Sequence, residues 1–536
     1  MSDLKTKKMH KTIQKIQNTH AFLLKSWLAF KLFKLLALVI RLVISFLMIP
    51  LYNTHHFFTF LLKTKRNVLG FLNEILQTLS NIFLETPLFI EDSLARKNRR
   101  KREREKEKRY RSGFNSDGVK QKTKFKVPRS LSLSRSLTTV LRKQTKRIPS
   151  SWVDDLILSH GFMFEEHLVE TQDGFLLKLF RLIPKRKEKE KEKEKEKENG
   201  NKRENENGNG NGNGNEQRPV VFFQHGIMSS ASFFLIGDSL PYQLIEMGYD
   251  CWFGNTRGNF YSDKHRSLSS NDPEYWDHTF NELVEQDLPA MVNFVLEKTK
   301  QETFTYIAFS QGTAQGFAAF SEYPDLCKKC NLFVAFAPTA HLKFIDTFFL
   351  KLAVSLPTKY AQLILGHDAI FRTVYPVARS VLGFKGYCLT MKYCMHFLFG
   401  WHNRNLNKKW MPYFAQTLYS TMSTKIVVYW FQQLRKQSFD KYDYEDENVN
   451  LEKYGQKTPP EYQLSKINCP MALFSGSSDN LSNVNVVVKE KLNPKYVLED
   501  VRLPDFEHLD SVWGRDLDLL VFPKVFKLLK KYNPAN

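Results

Sequence analysis

Cysteine is scarce: six residues in a chain of 536, at positions 251, 327, 330, 388, 394 and 469. So thin a scatter over so long a chain excludes a disulfide framework. Cys327 and Cys330 form a lone CxxC, and without a second pair the pattern of a zinc site is incomplete. Acidic residues are short in the first 148 positions, with 9 Asp/Glu against 33 Lys/Arg, whereas residues 149–536 hold 47 against 46. The formal charge of +23 therefore belongs to an N-terminal arm, and the larger remainder is electrically balanced. Long uninterrupted apolar runs are also missing. The cleanest stretch, Leu35–Leu51, spans 17 residues and contains a single charge, Arg41, near the lower limit for crossing a bilayer. With 42% apolar residues the chain has ample material for a large core, which excludes chain-wide disorder.

What is present in the arm points to a membrane. Residues 27–51 are almost wholly apolar, broken by Lys31, Lys34 and Arg41, and no small-residue cleavage site follows, so a retained anchor is expected rather than a removed signal peptide. Residues 68–84 differ in kind. Val68, Leu69, Leu72, Ile75, Leu76, Leu79, Ile82 and Phe83 recur at helical spacing among polar residues, the pattern of an amphipathic helix lying in the interface or packed on the protein itself. Arg96–Arg111 then holds eleven Lys/Arg and three Glu. Positive residues beside an apolar span favour the cytoplasmic face and anionic head groups. Both a hairpin and a single pass satisfy this pattern. A nucleic-acid role is not expected, because the block lacks interleaved aromatics and any binding module. Arg129–Arg135 reads RSLSLSR, which is either a basophilic kinase site around Ser130–Ser136 or a plain linker. The expected organisation is an anchor at 1–95, a basic flexible linker at 96–147 and a catalytic domain at 148–536. A Lys/Glu then Asn/Gly tract at 185–216 interrupts that domain between two strand-like runs, as a surface loop without chemistry.

The chemistry sits in the balanced part. Phe304–Phe309 (FTYIAF) reads as a buried strand and Gln311–Phe320 as a small-residue helix, with Ser310 between them. AFSQG at 308–312 fits the nucleophile-elbow pattern GxSxG, except that Ala308 replaces the first Gly. Small residues are needed there because strand and helix cross closely. Upstream, Pro219–Gly226 (PVVFFQHG) is a strand ending in His-Gly, a loop suited to a second oxyanion amide, for which Ile227 is the candidate beside Gln311. Downstream, Met471–Asp479 ends in a loop carrying Asp479, and Lys495–Leu503 leads to His508. Strand-Ser, strand-Asp, strand-His is the chain order of an α/β-hydrolase triad. In it His508 is the base, Ser310 the nucleophile and Asp479 the orienter, with Asp505, Glu507 and Asp510 as rival orienters; His225 and His265 are expected to be structural.

Several blocks in order resemble the acid (gastric/lysosomal) lipase family: LILSHGFMFEEHLVETQDGFLLKLFRL at 156–182, FFQHGIMSSASFF at 222–234, GYDCWFGNTRGNFYSDKH at 248–265, YWDHTFNELVEQDLPA at 275–290, FSQGTAQ at 309–315 and EHLDSVWG at 507–514. With its membrane-like arm and FSQG, the chain is most similar to the fungal membrane-anchored steryl ester hydrolases. The resemblance implies an α/β-hydrolase fold with a mainly parallel sheet and a helical cap at about 340–460. It also implies Ser310, Asp479 and His508 as the triad, and the amides of Ile227 and Gln311 as the oxyanion hole. The expected substrate is a steryl ester, with triacylglycerol as the alternative and a silent lipid-binding scaffold as the remote one. The chemistry calls for no metal or organic cofactor, and the expected partner is a membrane or lipid-droplet surface. Asn480-Leu481-Ser482 is the single glycosylation sequon, beside Asp479. This favours a cytosol-facing domain on the endoplasmic reticulum, lipid droplets or plasma membrane.

Overall fold

Strands that are buried on both faces read as continuous apolar runs, and five segments here do so: VVFFQ, DCWFG, FTYIAF, CNLFVAF and MALFSG. The computed structural model describes residues 156–184, 218–343, 347–355, 358–365, 368–370, 374–418 and 420–535. The expected apolar anchor, amphipathic helix, basic linker, kinase site and 185–216 insert lie outside them. Among the described residues no helix is long and apolar enough to cross a membrane.

The strands are β1 (Phe162–Glu170), β2 (Phe175–Pro184), β3 (Val220–Gln224), β4 (Asp250–Gly254), the short β5 (Lys264–His265), β6 (Phe304–Phe309), β7 (Cys330–Phe336), the short β8 (Ala369–Ile370) and β9 (Met422–Ser423), β10 (Met471–Gly476) and β11 (Val497–Leu503). Nine of them form one sheet in the order β1-β2-β4-β3-β6-β7-β10-β11, with β5 beside β2. From β4 to β11 all neighbours are parallel, while β1, β2 and β5 join antiparallel at one edge. β1 (FMFEEHLVE) mixes exposed and buried positions, as an edge strand must. The insert tract joins β2 to β3.

Successive residues of the central strands feed two cores. Phe222, Trp252, Tyr306, Phe333 and Leu473 enter one, and Phe223, Phe253, Ile307, Val334 and Phe474 the other. On the Phe253 side lie α1 (Leu240–Glu246) and the C-terminal helix Phe522–Tyr532, through Leu244, Ile245, Val525 and Leu529. On the Tyr306 side lie α2 (Leu288–Thr299) and α3 (Gln311–Glu322), through Met291, Val295, Ala314 and Phe317. Each such fully buried large side chain contributes about 1.5–3 kcal/mol.

Between β7 and β10 the chain leaves the sheet and is mostly helical: α4 (Phe348–Ser355), α5 (Thr358–Leu365), α6 (Val374–Phe399), α7 (Met411–Thr417), α8 (Thr424–Lys436) and α9 (Glu447–Tyr454). This is the region in which a cap is expected. Some of its aromatics are core rather than pocket: Tyr429 of α8 is fully buried and stacks on Phe280 at 4.5 Å. None of the six cysteines is joined in a disulfide.

Candidate active site

A parallel sheet delivers every strand's C-terminus to one edge. β3, β6, β10 and β11 therefore bring the His225-Gly226-Ile227 loop, Ser310, Asp479 and His508 to the same side. Ser310, directly after β6, has φ 51° and ψ −121°, a strained conformation for a residue with a side chain. Two close approaches make it possible. A Cβ on Gly312 would stand 2.5 Å from the Gln224 carbonyl oxygen and 2.7 Å from that of His225, so α3 abuts the end of β3 backbone to backbone. A Cβ on Gly226 would meet Phe309 at 2.9 Å and the Ser310 Cβ at 3.2 Å, which places the loop after β3 against the serine. Ala308 is fully buried and its methyl is accommodated. Gly312→Ala should force α3 off β3, costing about 1–3 kcal/mol of stability. A lowered thermal midpoint together with reduced ester turnover is the expected result, read by melting and by initial rates.

The three sequence-predicted groups meet. His508 Nε2 lies 2.8 Å from Ser310 Oγ, and His508 Nδ1 lies 2.8 Å from Asp479 Oδ2. All three side chains are buried. Burial pushes the Asp479 carboxyl up, but the His508 charge, their hydrogen bond and the amides of Leu481 and Ser482 outweigh it and hold the group below its ordinary range. Two of the rival carboxylates, Glu507 and Asp510, are engaged elsewhere. Glu507 accepts the amides of His402 and Asn403, and Asp510 Oδ2 accepts the Glu507 amide at 2.7 Å. Gln311 opens α3, so its amide has no intrahelical acceptor and points out of the helix N-terminus. Ile227 is half-buried and follows Gly226, which abuts Ser310. His225 is neutral: burial pushes its pKa down to about 4. Its Nδ1–H donates to the Gly226 carbonyl at 2.8 Å, and its Nε2 accepts from the Thr256 amide at 3.2 Å. His265 caps a turn, its Nε2 bonded to the Asp173 carbonyl. Among the described residues no cluster of His, Cys, Asp or Glu has the arrangement to hold a metal ion.

Two family profiles match the chain. One, the partial alpha/beta-hydrolase lipase region, covers residues 153–238, and the other, the alpha/beta hydrolase fold, covers residues 219–514. Human lysosomal acid lipase/cholesteryl ester hydrolase is 31% identical over 392 residues, covering 71% of this chain and 91% of that one. This chain belongs to the acid lipase family. It is accordingly a carboxylic ester hydrolase with the α/β-hydrolase fold. Bovine gastric triacylglycerol lipase is 30% identical over 391 residues (70% and 90% of the two chains). A lipase of Schizosaccharomyces pombe is 33% identical over 382 residues (70% and 78%).

This acid lipase holds site residues that no motif pointed to. Trp401, which follows α6, stacks on the His508 imidazole, and Trp430 of α8 donates its Nε1–H to Gln311 Oε1 at 2.7 Å. Neither carries a local signal, because each acts across a long loop and resembles any other buried aromatic. Asp510, read in the sequence as a rival orienter, has another property: burial raises its carboxyl to about 6, and its Oδ1 has no hydrogen-bond partner among the described residues. A carboxyl raised in the folded state binds its proton there first, so folding stability falls as pH rises from about 4 to about 6. Asp510→Asn should remove that slope. Its stability relative to wild type should increase across this window by on the order of 1–3 kcal/mol and then level off, as read by urea unfolding at a series of pH values.

Proposed function

We propose that this acid lipase cleaves steryl esters to free sterol and fatty acid, working at a membrane or lipid-droplet surface to which residues 1–95 attach it. The observation that carries the chemistry is the continuous hydrogen-bonded line from Asp479 through His508 to Ser310 at the carboxyl edge of the sheet. In this reading His508 Nε2 takes the Ser310 proton as Oγ attacks the ester carbonyl. It then delivers that proton to the departing sterol oxygen. Water, deprotonated by the same nitrogen, releases the fatty acid from Ser310. Asp479 keeps the other proton on Nδ1 and stabilises the imidazolium. The amides of Ile227 and Gln311 receive the oxyanion, the latter aided by the α3 dipole.

The steryl ester is favoured by the membrane-like arm, by the apolar and aromatic make-up of residues 340–460, and by relatives named as cholesteryl ester hydrolases. A helical cap of that composition would shelter a sterol and a long acyl chain from water. The bovine relative's name supports triacylglycerol as the second reading, since a triad treats all ester carbonyls alike. A cytosol-facing orientation is supported by the sequon: Asn480 Nδ2 donates to the Phe399 carbonyl and its Oδ1 accepts from Trp401, bonds that a glycan would displace.

The test is hydrolysis of a cholesteryl ester and a triacylglycerol in matched emulsions by detergent-purified wild type and Ser310→Ala. Release of fatty acid from the steryl ester at the higher rate, lost in the variant, is the expected result. Faster triacylglycerol cleavage would transfer the reading to a lipase. Silence of the folded wild type on both esters would sink both.

A further inference from the structure

The sheet places Asp479 and His508 on neighbouring loops, where the Asp479 carboxylate holds Nδ1 and Phe309 of β6 meets the imidazole. The chain leaving α6 covers the ring as well. The Trp401 indole lies nearly parallel to the His508 ring, at 5.2 Å between centroids and 12° between planes. Phe309 touches the same imidazole at 5.2 Å with its ring tilted by 55°. Trp401 is itself held twice: its Nε1–H donates to Asn480 Oδ1 at 3.0 Å, and Phe399 stacks on it at 4.5 Å. Asn480, the residue after Asp479, returns a hydrogen bond from Nδ2 to the Phe399 carbonyl. Further along, the His402 and Asn403 amides donate to the Glu507 carboxylate at 2.8 and 2.7 Å, directly before His508. Asn405 Nδ2 donates to the Asp505 carbonyl at 2.7 Å, and its own carbonyl accepts the Arg515 amide at 3.0 Å. One short segment of the cap region thus grips both the loop of the orienting carboxylate and the loop of the base.

We propose that residues 399–405 form a clasp that sets the orientation of His508, with Trp401 as its positioning residue. The inference rests on the triad reading given above. Trp401 acts through His508: it blocks rotation of the ring out of line with Ser310, and its π face favours the imidazolium that forms as the ester is attacked. A consequence is that substrate enters without displacing this part of the cap, because lifting it would release the base.

The test compares full-chain wild type, Trp401→Leu, Trp401→Phe and Glu507→Ala, with Ser310→Ala as the labelling control. The readouts are kcat and KM on a water-soluble short-chain nitrophenyl ester and on a long-chain one, and the rate of Ser310 labelling by a fluorophosphonate. The clasp requires Trp401→Leu to lose roughly ten- to a hundredfold in kcat and labelling rate with KM nearly unchanged. Trp401→Phe, which keeps an aromatic face, should recover most of that loss. Glu507→Ala removes the second grip without touching the apolar contacts. It should also lower kcat at constant KM, which keeps the proposal open to test if Trp401→Leu does not fold. Unchanged labelling and short-ester turnover in the variants, with only long-chain KM raised, would overturn the clasp and make Trp401 a pocket wall. Equal losses in the Leu and Phe variants would overturn it as well. Labelling of the wild type that survives Ser310→Ala would instead take down the triad reading, and the clasp with it.

Discussion

Replacing Ser310 by alanine is expected to lower ester hydrolysis by about four to six orders of magnitude while leaving the thermal midpoint close to that of the wild type. Only Oγ is removed, and its hydrogen bond to His508 Nε2 is lost from a site that keeps its backbone geometry. Asp479→Asn is the companion change. It leaves an acceptor opposite Nδ1 but allows the wrong imidazole tautomer, at a cost of about 10⁴-fold in kcat. Because the two act on one unit, the double variant should be hardly slower than Ser310→Ala alone. Single-turnover release of a chromogenic alcohol measures all three. Substantial turnover by Ser310→Ala would remove the serine from the mechanism.

The largest effect on stability is expected away from the catalytic line. Arg257, in the loop after β4, is fully buried. Its Nη1 lies 2.5 Å from Asp173 Oδ2 and its Nε 2.7 Å from Asp287 Oδ1, while its own amide donates to Asp287 at 3.0 Å. The guanidinium also lies 4.2 Å from the Phe175 ring centroid. It joins the β1–β2 turn, the β4 loop and the start of α2. Arg257→Ala would leave the Asp287 carboxylate buried without its counter-charge, a loss of about 3–5 kcal/mol. That is a large fraction of the roughly 5–15 kcal/mol that holds a domain together. Burial already raises the Asp287 carboxyl against the pull of Arg257. Without the arginine the folded state should take up a proton there, so the loss should be smaller near pH 5 than near pH 8. Urea unfolding at both pH values reads this out. A loss independent of pH would mean that the guanidinium contributes packing rather than charge.

Much of this protein can be argued from neighbours in the chain. VVFFQ and FTYIAF are buried on both faces because they are apolar on both. The elbow at Ser310 follows from small residues between a strand and a helix, and the order Ser310, Asp479, His508 matches strands that end at one edge. These are local consequences of sterics and hydrophobic patterning, and Ala308 in place of glycine did not obscure them. The antiparallel edge was less legible: β2 runs against both of its neighbours, β1 and β4, a direction that no residue pattern encodes by itself.

The choice of partner was another matter. Asp505, Glu507 and Asp510 rivalled Asp479 as partners of His508 in the sequence, and only the packed loops show that Asp479 takes Nδ1 while Glu507 and Asp510 bind amides. Trp401 and Trp430 stood among many aromatics between β7 and β10 until folding set one on the imidazole and the other on Gln311. Arg257 looked like one basic residue among 79 until two carboxylates from distant segments closed on it. By itself, the sequence determined which segments become strands and helices and the order in which the reactive groups arrive, because backbone geometry and burial act over a few neighbouring residues. Tertiary structure alone decided which charge answers which and which ring rests on which. Hydrogen bonds and stacking act over a few ångströms in space, and any two residues reach that range only once the whole chain has packed.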